Sequence, residues 1–269
     1  MALMLKCGAV FLHIPKTGGK WVEKVLFEQG LVRCQIGDRH LTADGFRSFP
    51  KLERGTRGRS LTWMSREVLK RCYLERWERR AFRDAFVFCF VRHPITWYES
   101  YFKYNWMLAQ RAGRQHWSRW GHYGTGDRRN FPHPWAMLDG TQAQTLSGFM
   151  RNVNRVRPGY VTEMYGWYTS WDYESQVSFI GKQERLTDDL ITVLSQLNVN
   201  FDEDQIRNTP KSNASKQYAE TDWDPGLREE TERMETVGIA RYGYAKSSGI
   251  ETPDSLHDVT PTSAHALDS

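Results

Sequence analysis

Long apolar runs are missing from the 269-residue chain. No stretch approaches the ~20 apolar residues of a membrane-spanning helix. The opening segment MALMLKCGAVFLHIPK is interrupted at Lys6, which leaves it too short for a secretion signal. Cysteine is scarce. Cys7, Cys34, Cys72 and Cys89 form no CxxC pair and no Cys/His cluster at zinc spacing, so neither a disulfide framework nor a zinc module is expected. Cys89 lies inside an apolar run and reads as a core thiol. There is no internal repeat. These absences predict a soluble, cytoplasmic protein in a reducing compartment.

What is present is a globular balance: 39% hydrophobic and 26% charged residues, with a mean hydropathy of -0.66. Such a composition excludes a mostly disordered chain. Aromatics make up 13%, with 11 Trp, which supplies large side chains for a core and for binding surfaces. The net charge of +5 hides an asymmetry. Residues 1–130 carry 25 Lys and Arg against 11 Asp and Glu, a net of +14; residues 131–269 carry 12 against 21, a net of -9. A basic half suggests a polyanion, phosphate or sulfate partner. The alternative is that the two halves neutralise each other in the fold.

Gly8–Ile14 (GAVFLHI) reads as a buried parallel strand. PKTGG follows, and from Lys20 the apolar residues Trp21, Val22, Val25 and Leu26 take helical spacing, with Gly30 as a stop. A helix is predicted over 62–80. Ala85–Val91 (AFVFCFV) is the second strong strand signal, ending at Arg92, with a helix from Ile95 to about Gln110. Residues 111–135 read as a long loop rich in Gly, Arg and aromatics. Helical patterns return at 141–154, 160–170 and 186–197, with a strand at Val177–Gly181. A last helix is predicted from Pro225 to about Ala240, and a polar tail over 247–269. Strands separated by helices predict an α/β layer fold with a mostly parallel sheet. Ligands in such folds bind outside the carboxyl ends of the strands. Lys16–Lys20 and Arg92 lie at two such ends and are expected to converge.

Strand, PKTGGK turn and helix outline a phosphate cradle, because glycines let backbone N–H groups face an anion and a helix N-terminus adds positive potential. The nucleotide-triphosphatase loop has Ser or Thr after Gly-Lys; here Trp21 follows Gly19-Lys20, and Ile14 stands at the first glycine. That disfavours a magnesium-dependent kinase. A tight turn without a ligand is the other reading.

Phe11-Leu-His-Ile-Pro-Lys-Thr-Gly-Gly19 resembles the 5′-phosphosulfate loop of sulfotransferases that use 3′-phosphoadenosine 5′-phosphosulfate, in the branch of heparan sulfate 2-O- and 6-O-sulfotransferases and bacterial relatives. That family usually has Thr or Ser where this chain has Lys20, so a hydroxyl is replaced by a cation. Phe86–Pro94, followed by Trp97-Tyr98-Glu99-Ser100-Tyr101, is similar to the family's 3′-phosphate segment: a strand, an Arg, and a Ser eight residues on. Arg92 can fork onto a phosphate; a carboxylate partner for Arg92 is the alternative. Phe179–Leu190, Arg207–Ser215 and Arg241–Tyr244 resemble later landmarks, Glu184 and Asp189 among them being expected to be structural.

The resemblance implies a three-layer, P-loop-like sulfotransferase fold over residues 1–246, its mostly parallel central sheet flanked by helices. It implies sulfuryl transfer to a hydroxyl, with a carbohydrate as the expected acceptor and no metal required. Lys16, Thr17, Gly18, Gly19, Lys20 and Trp21 would hold the 5′ side of the donor, and Arg92 and Ser100 its 3′-phosphate. Lys211, Ser212 and Ser215 would close over the nucleotide. Lys16 would also stabilise the leaving phosphate. His40 resembles the family's general base, in His40-Leu-Thr-Ala43 with Arg47; a solvated loop histidine is its alternative, and Glu23 and Asp44 are rival carboxylate bases. His13 reads instead as a buried, hydrogen-bonded core residue. Arg54, Arg57, Arg59, Arg111, Arg114, Arg119, Arg128 and Arg129 could bind an acidic glycan or form a solvated basic surface; Trp106, Trp117, Trp120 and Trp135 could stack on sugar faces or be lid or core residues. Two rival functions are a kinase-like phosphotransferase and a basic glycan or nucleic-acid binder, although no known nucleic-acid module is present.

Overall fold

The structure is a computed structural model that describes residues 2–36, 85–112, 138, 141–169, 177–211 and 222–245. The predicted helix at 62–80, most of the 111–135 segment and the 247–269 tail lie outside the described residues.

Five strands form one sheet: β1 (Ala2–Leu5), β2 (Val10–Leu12), β3 (Val32–Ile36), β4 (Val87–Val91) and β5 (Phe179–Lys182), in the order β3-β1-β2-β4-β5. β2, β4 and β5 pair in parallel. β1 is antiparallel to both of its neighbours, so the sheet is mixed, with four strands running one way. β1 was not anticipated from the sequence. Four buried residues are too few to show a period, and β1 joins β2 through a tight turn in which Gly8 has φ 91°. No element was expected at β3 either. Half-buried Val32 and Cys34 alternate with exposed Arg33 and Gln35, as suits an edge strand.

Helices cover both faces of the sheet. The period of two along the strands sorts their side chains. Ala2, Met4, Val10, Leu12, Val87, Cys89 and Val91 face a core shared with α2 (Pro94–Ala112), α3 (Leu146–Val156) and α4 (Tyr160–Thr169). Leu3, Leu5, Phe11, Phe88 and Phe90 face a second core shared with α1 (Gly19–Glu28), α5 (Leu186–Gln196) and α6 (Glu203–Asn208). β4 is buried at every position, which accounts for its unbroken apolar sequence. Cys89 is fully buried, and burial pushes its thiol well above the ordinary range, as a core residue requires.

The single helix predicted from Pro225 divides into α7 (Pro225–Met234) and α8 (Thr236–Arg241). Glu235 sits between them and is wholly buried. Its carboxylate accepts from Val161 N (3.1 Å), Thr162 N (2.8 Å), Thr162 Oγ1 (2.5 Å) and Tyr98 OH (2.5 Å). It therefore caps the N-terminus of α4 from another part of the chain, where helix dipole and free N–H groups favour a carboxylate. Burial raises its pKa, and those hydrogen bonds oppose the rise. Among the described residues no helix is long and apolar enough to cross a membrane.

Candidate functional site

The chain passes from β2 to α1 through a turn whose backbone is unusual at two places. Lys16 has φ 66° and Gly18 has φ 86°. For lysine this left-handed conformation is uncommon. Left-handed residues in alternation with right-handed ones gather N–H groups into a concavity that accepts anions.

The carbonyls of this turn are bonded on its protein side. Ile14 O accepts from Thr17 Oγ1 (2.9 Å), Pro15 O from Trp97 Nε1 (2.8 Å) and Lys16 O from Arg92 Nη1 (3.5 Å). Gly18 O takes the N–H groups of Trp21 and Val22. Gly18 is the N-cap of α1 and offers no side chain to the helix end. The start of α1 therefore has no side-chain cap from Gly18, at the positive end of the helix.

Arg92 is set at the carboxyl end of β4. Tyr165 OH accepts from Arg92 N (2.9 Å) and donates to Arg92 O (2.7 Å), which fixes the backbone there. Arg92 Nε donates to Thr96 Oγ1 (3.0 Å), and the guanidinium extends to the turn. α2 then places Trp97, Ser100 and Tyr104 on one face, three and four residues apart. Trp97 bonds the turn, and the Tyr104 ring lies 4.3 Å from Lys16 Nζ, a cation–π contact. Ser100 sits between them, 8% exposed, and its hydroxyl has no hydrogen-bond partner among the described residues.

Lys16, Lys20 and Arg92 thus form a cationic group. Burial, then the charges of Arg92 and Lys20, pull the Lys16 ammonium down to about 7. Burial also lowers Arg92, against the opposing influence of Tyr165, Glu184 and Glu99. Both shifts say that the charged forms lack sufficient compensation here, and an anion would supply it.

The residues expected to hold a donor are therefore partly gathered. Lys16, Thr17, Gly18, Gly19 and Lys20 form the turn and helix start, and Arg92 touches that turn. Lys20 is exposed beside it. Trp21 is engaged elsewhere. It is 4% exposed, and its indole N–H bonds Thr209 O at 3.1 Å. It ties the 209–211 segment to α1, and Lys211 Nζ lies 6.0 Å from its ring. His40, Asp44, Ser212 and Ser215 lie outside the described residues, as do Arg54, Arg57, Arg59, Arg114, Arg119, Arg128, Arg129, Trp117, Trp120 and Trp135. Trp106 packs against the α2–α4 core. Glu23, a rival base, hydrogen-bonds Nδ1 of His13, which is buried as expected.

Tyr104, Thr96 and Tyr165 were missed from sequence. The period of α2 carried a signal for Tyr104, seven residues beyond Trp97. Nothing local marked Tyr165, which comes from a distant helix.

On the far side of Arg92, Glu184 accepts from His93 N (3.0 Å) and Tyr244 OH (2.8 Å), joining the ends of β4 and β5 to the C-terminal segment. A groove of about 710 Å³ opens there between His93, Arg228, Glu232, Arg233, Thr236 and Tyr244. Among the described residues no group of three or more His, Cys, Asp or Glu is placed to hold a metal.

No family model, no curated protein and no solved structure matches this chain. The functional reading therefore stands on the residues and their arrangement.

Proposed function

We propose that the chain is a sulfotransferase that moves a sulfuryl group from 3′-phosphoadenosine 5′-phosphosulfate to a hydroxyl, with a carbohydrate as acceptor. The supporting observation is the approach of Arg92 to the Lys16 turn. It brings two candidate anion-binding elements, one at the end of β2 and one at the end of β4, together at the carboxyl ends of neighbouring strands. A donor with phosphates at both ends of a ribose needs two such elements. The residues fit: the start of α1, which Gly18 does not cap with a side chain, and Lys16 suit the 5′ side, and Arg92 with the buried Ser100 hydroxyl suits the 3′-phosphate.

In the reaction the acceptor oxygen forms a bond to sulfur as the bond from sulfur to the bridging phosphate oxygen breaks. The acceptor proton passes to the base, for which His40 is the candidate. Glu23 is less suited, since His13 occupies its carboxylate. Lys16 stabilises the charge growing on the leaving phosphate. The turn and Arg92 hold the donor in line with the acceptor. The fold would be the three-layer, P-loop-like sulfotransferase type. A kinase reading is disfavoured by Trp21, which stands where a magnesium-binding hydroxyl is needed and is itself buried.

Calorimetry with adenosine 3′,5′-bisphosphate against ATP–magnesium tests this. Preference for the bisphosphate is expected; a folded protein that ignores it overturns the reading. Salt-sensitive RNA binding without bisphosphate affinity would instead support the nucleic-acid alternative. His40→Ala should reduce turnover while sparing bisphosphate affinity, and unchanged turnover would remove His40 as the base.

A further inference from the structure

Gly19 is the first residue of α1 and does not share the left-handed backbone of Gly18. Its small size answers to space. A Cβ at Gly19 would overlap the His13 ring at Cδ2 and lie 2.5 Å from Nε2. The His13 side chain is 9% exposed and packs against Phe11, with ring centroids 6.2 Å apart at 20°. On its other edge Nδ1 bonds Glu23, one turn into α1. A strand-end histidine thus touches the helix twice: by its ring edge at the first residue, and by hydrogen bond four residues later. Two contacts one helical turn apart fix both the position and the rotation of a helix start.

We propose that His13, oriented by Glu23, is the positioning residue of the anion-binding turn. Its ring is the surface on which Gly19 seats, and it sets the direction of the N–H groups at the start of α1. The proposal rests on the donor-site reading above and adds to it a determinant of donor affinity outside the cationic group. Glu23 acts here through His13, and neither side chain needs to touch the donor. The arrangement also gives Gly19 a reason separate from that of Gly18. Gly18 is required by its φ, while Gly19 is required by its neighbour.

The test measures adenosine 3′,5′-bisphosphate affinity and thermal midpoint for wild type, His13→Ala, His13→Asn, Gly19→Ala and the double variant H13A/G19A. His13→Asn keeps a donor at the Nδ1 position and is the second variant if His13→Ala fails to fold. Removing the ring edge is expected to weaken the bisphosphate by about tenfold to a hundredfold, the scale of a misplacement of about 1 Å. In turnover assays the donor KM should rise more than kcat falls. Gly19→Ala should lower the thermal midpoint, and adding His13→Ala should restore part of it by vacating the space. Wild-type affinity in a folded His13→Ala or His13→Asn protein would overturn the positioning role. So would a double variant no more stable than Gly19→Ala. If wild type itself binds no bisphosphate, the donor-site reading fails and the positioning role falls with it, a result distinct from the other two.

Discussion

Binding of the bisphosphate should draw a proton onto Lys16, and the size of that uptake follows from the site. In the free protein burial and the charges of Arg92 and Lys20 hold the ammonium at about 7. A phosphate beside it favours the charged form and carries its value back toward the ordinary 10.5. At pH 8 about nine-tenths of free Lys16 is neutral, and binding takes up about that fraction of a proton; at pH 7 it takes up about half. Above pH 7 the affinity should fall about tenfold per pH unit until the value in the complex is reached. The ligand's own phosphates complete their ionisation near about pH 6, below this window. Calorimetry in buffers of different ionisation enthalpy reads the uptake directly. Lys16→Arg keeps the charge but cannot titrate, so its uptake should vanish. The unliganded protein provides a second check with a definite sign. A basic group held below its unfolded value costs stability that is fully present below pH 7 and is relieved between 7 and 10.5. Lys16→Met should therefore raise the thermal midpoint at pH 6 while removing bisphosphate binding. Flat affinity from pH 7 to 9 with no proton uptake would refute the reasoning.

Three further perturbations follow from single contacts. Arg92→Ala should weaken the bisphosphate by about 1.5–3 kcal/mol, the range of hydrogen bonds to charged groups; calorimetry at unchanged affinity would contradict the assigned contact. Gly18→Ala combines φ 86° with a Cβ 2.5 Å from Leu186 Cδ2. It should lower stability by about 1–3 kcal/mol in denaturant unfolding, and a neutral result would remove the strain argument. Glu235→Ala leaves the hydroxyls of Tyr98 and Thr162 and two N–H groups of α4 without their acceptor. A loss of at least about 3 kcal/mol is expected, with a fall below 1 kcal/mol counting against the capping role.

Much of the fold was legible along the chain, and the reasons differ by element. Parallel strands buried on both faces must be apolar throughout, so β4 stood out as an unbroken apolar run. α1 and α5 carry their apolar stripe at helical spacing and were placed within a residue or two. β1 and β3 were missed for different reasons: β1 has four residues, all buried, too few to show a period, and β3 is a short strand at the edge of the sheet. The break at Glu235 was invisible for another reason: its cause is a helix start some seventy residues away.

The sequence by itself determined that a glycine-bearing turn joins a buried strand to a helix, and that an arginine ends a second buried strand. Local spacing and apolar runs are sufficient for that. Only the tertiary structure decided that the two ends touch, since this depends on β2 and β4 pairing side by side. It also decided which polar groups are already committed. Trp21 is spent on Thr209 and Glu23 on His13, while Ser100 is buried beside the turn without a partner among the described residues. Such assignments depend on distances across the fold, and no window along the chain contains them.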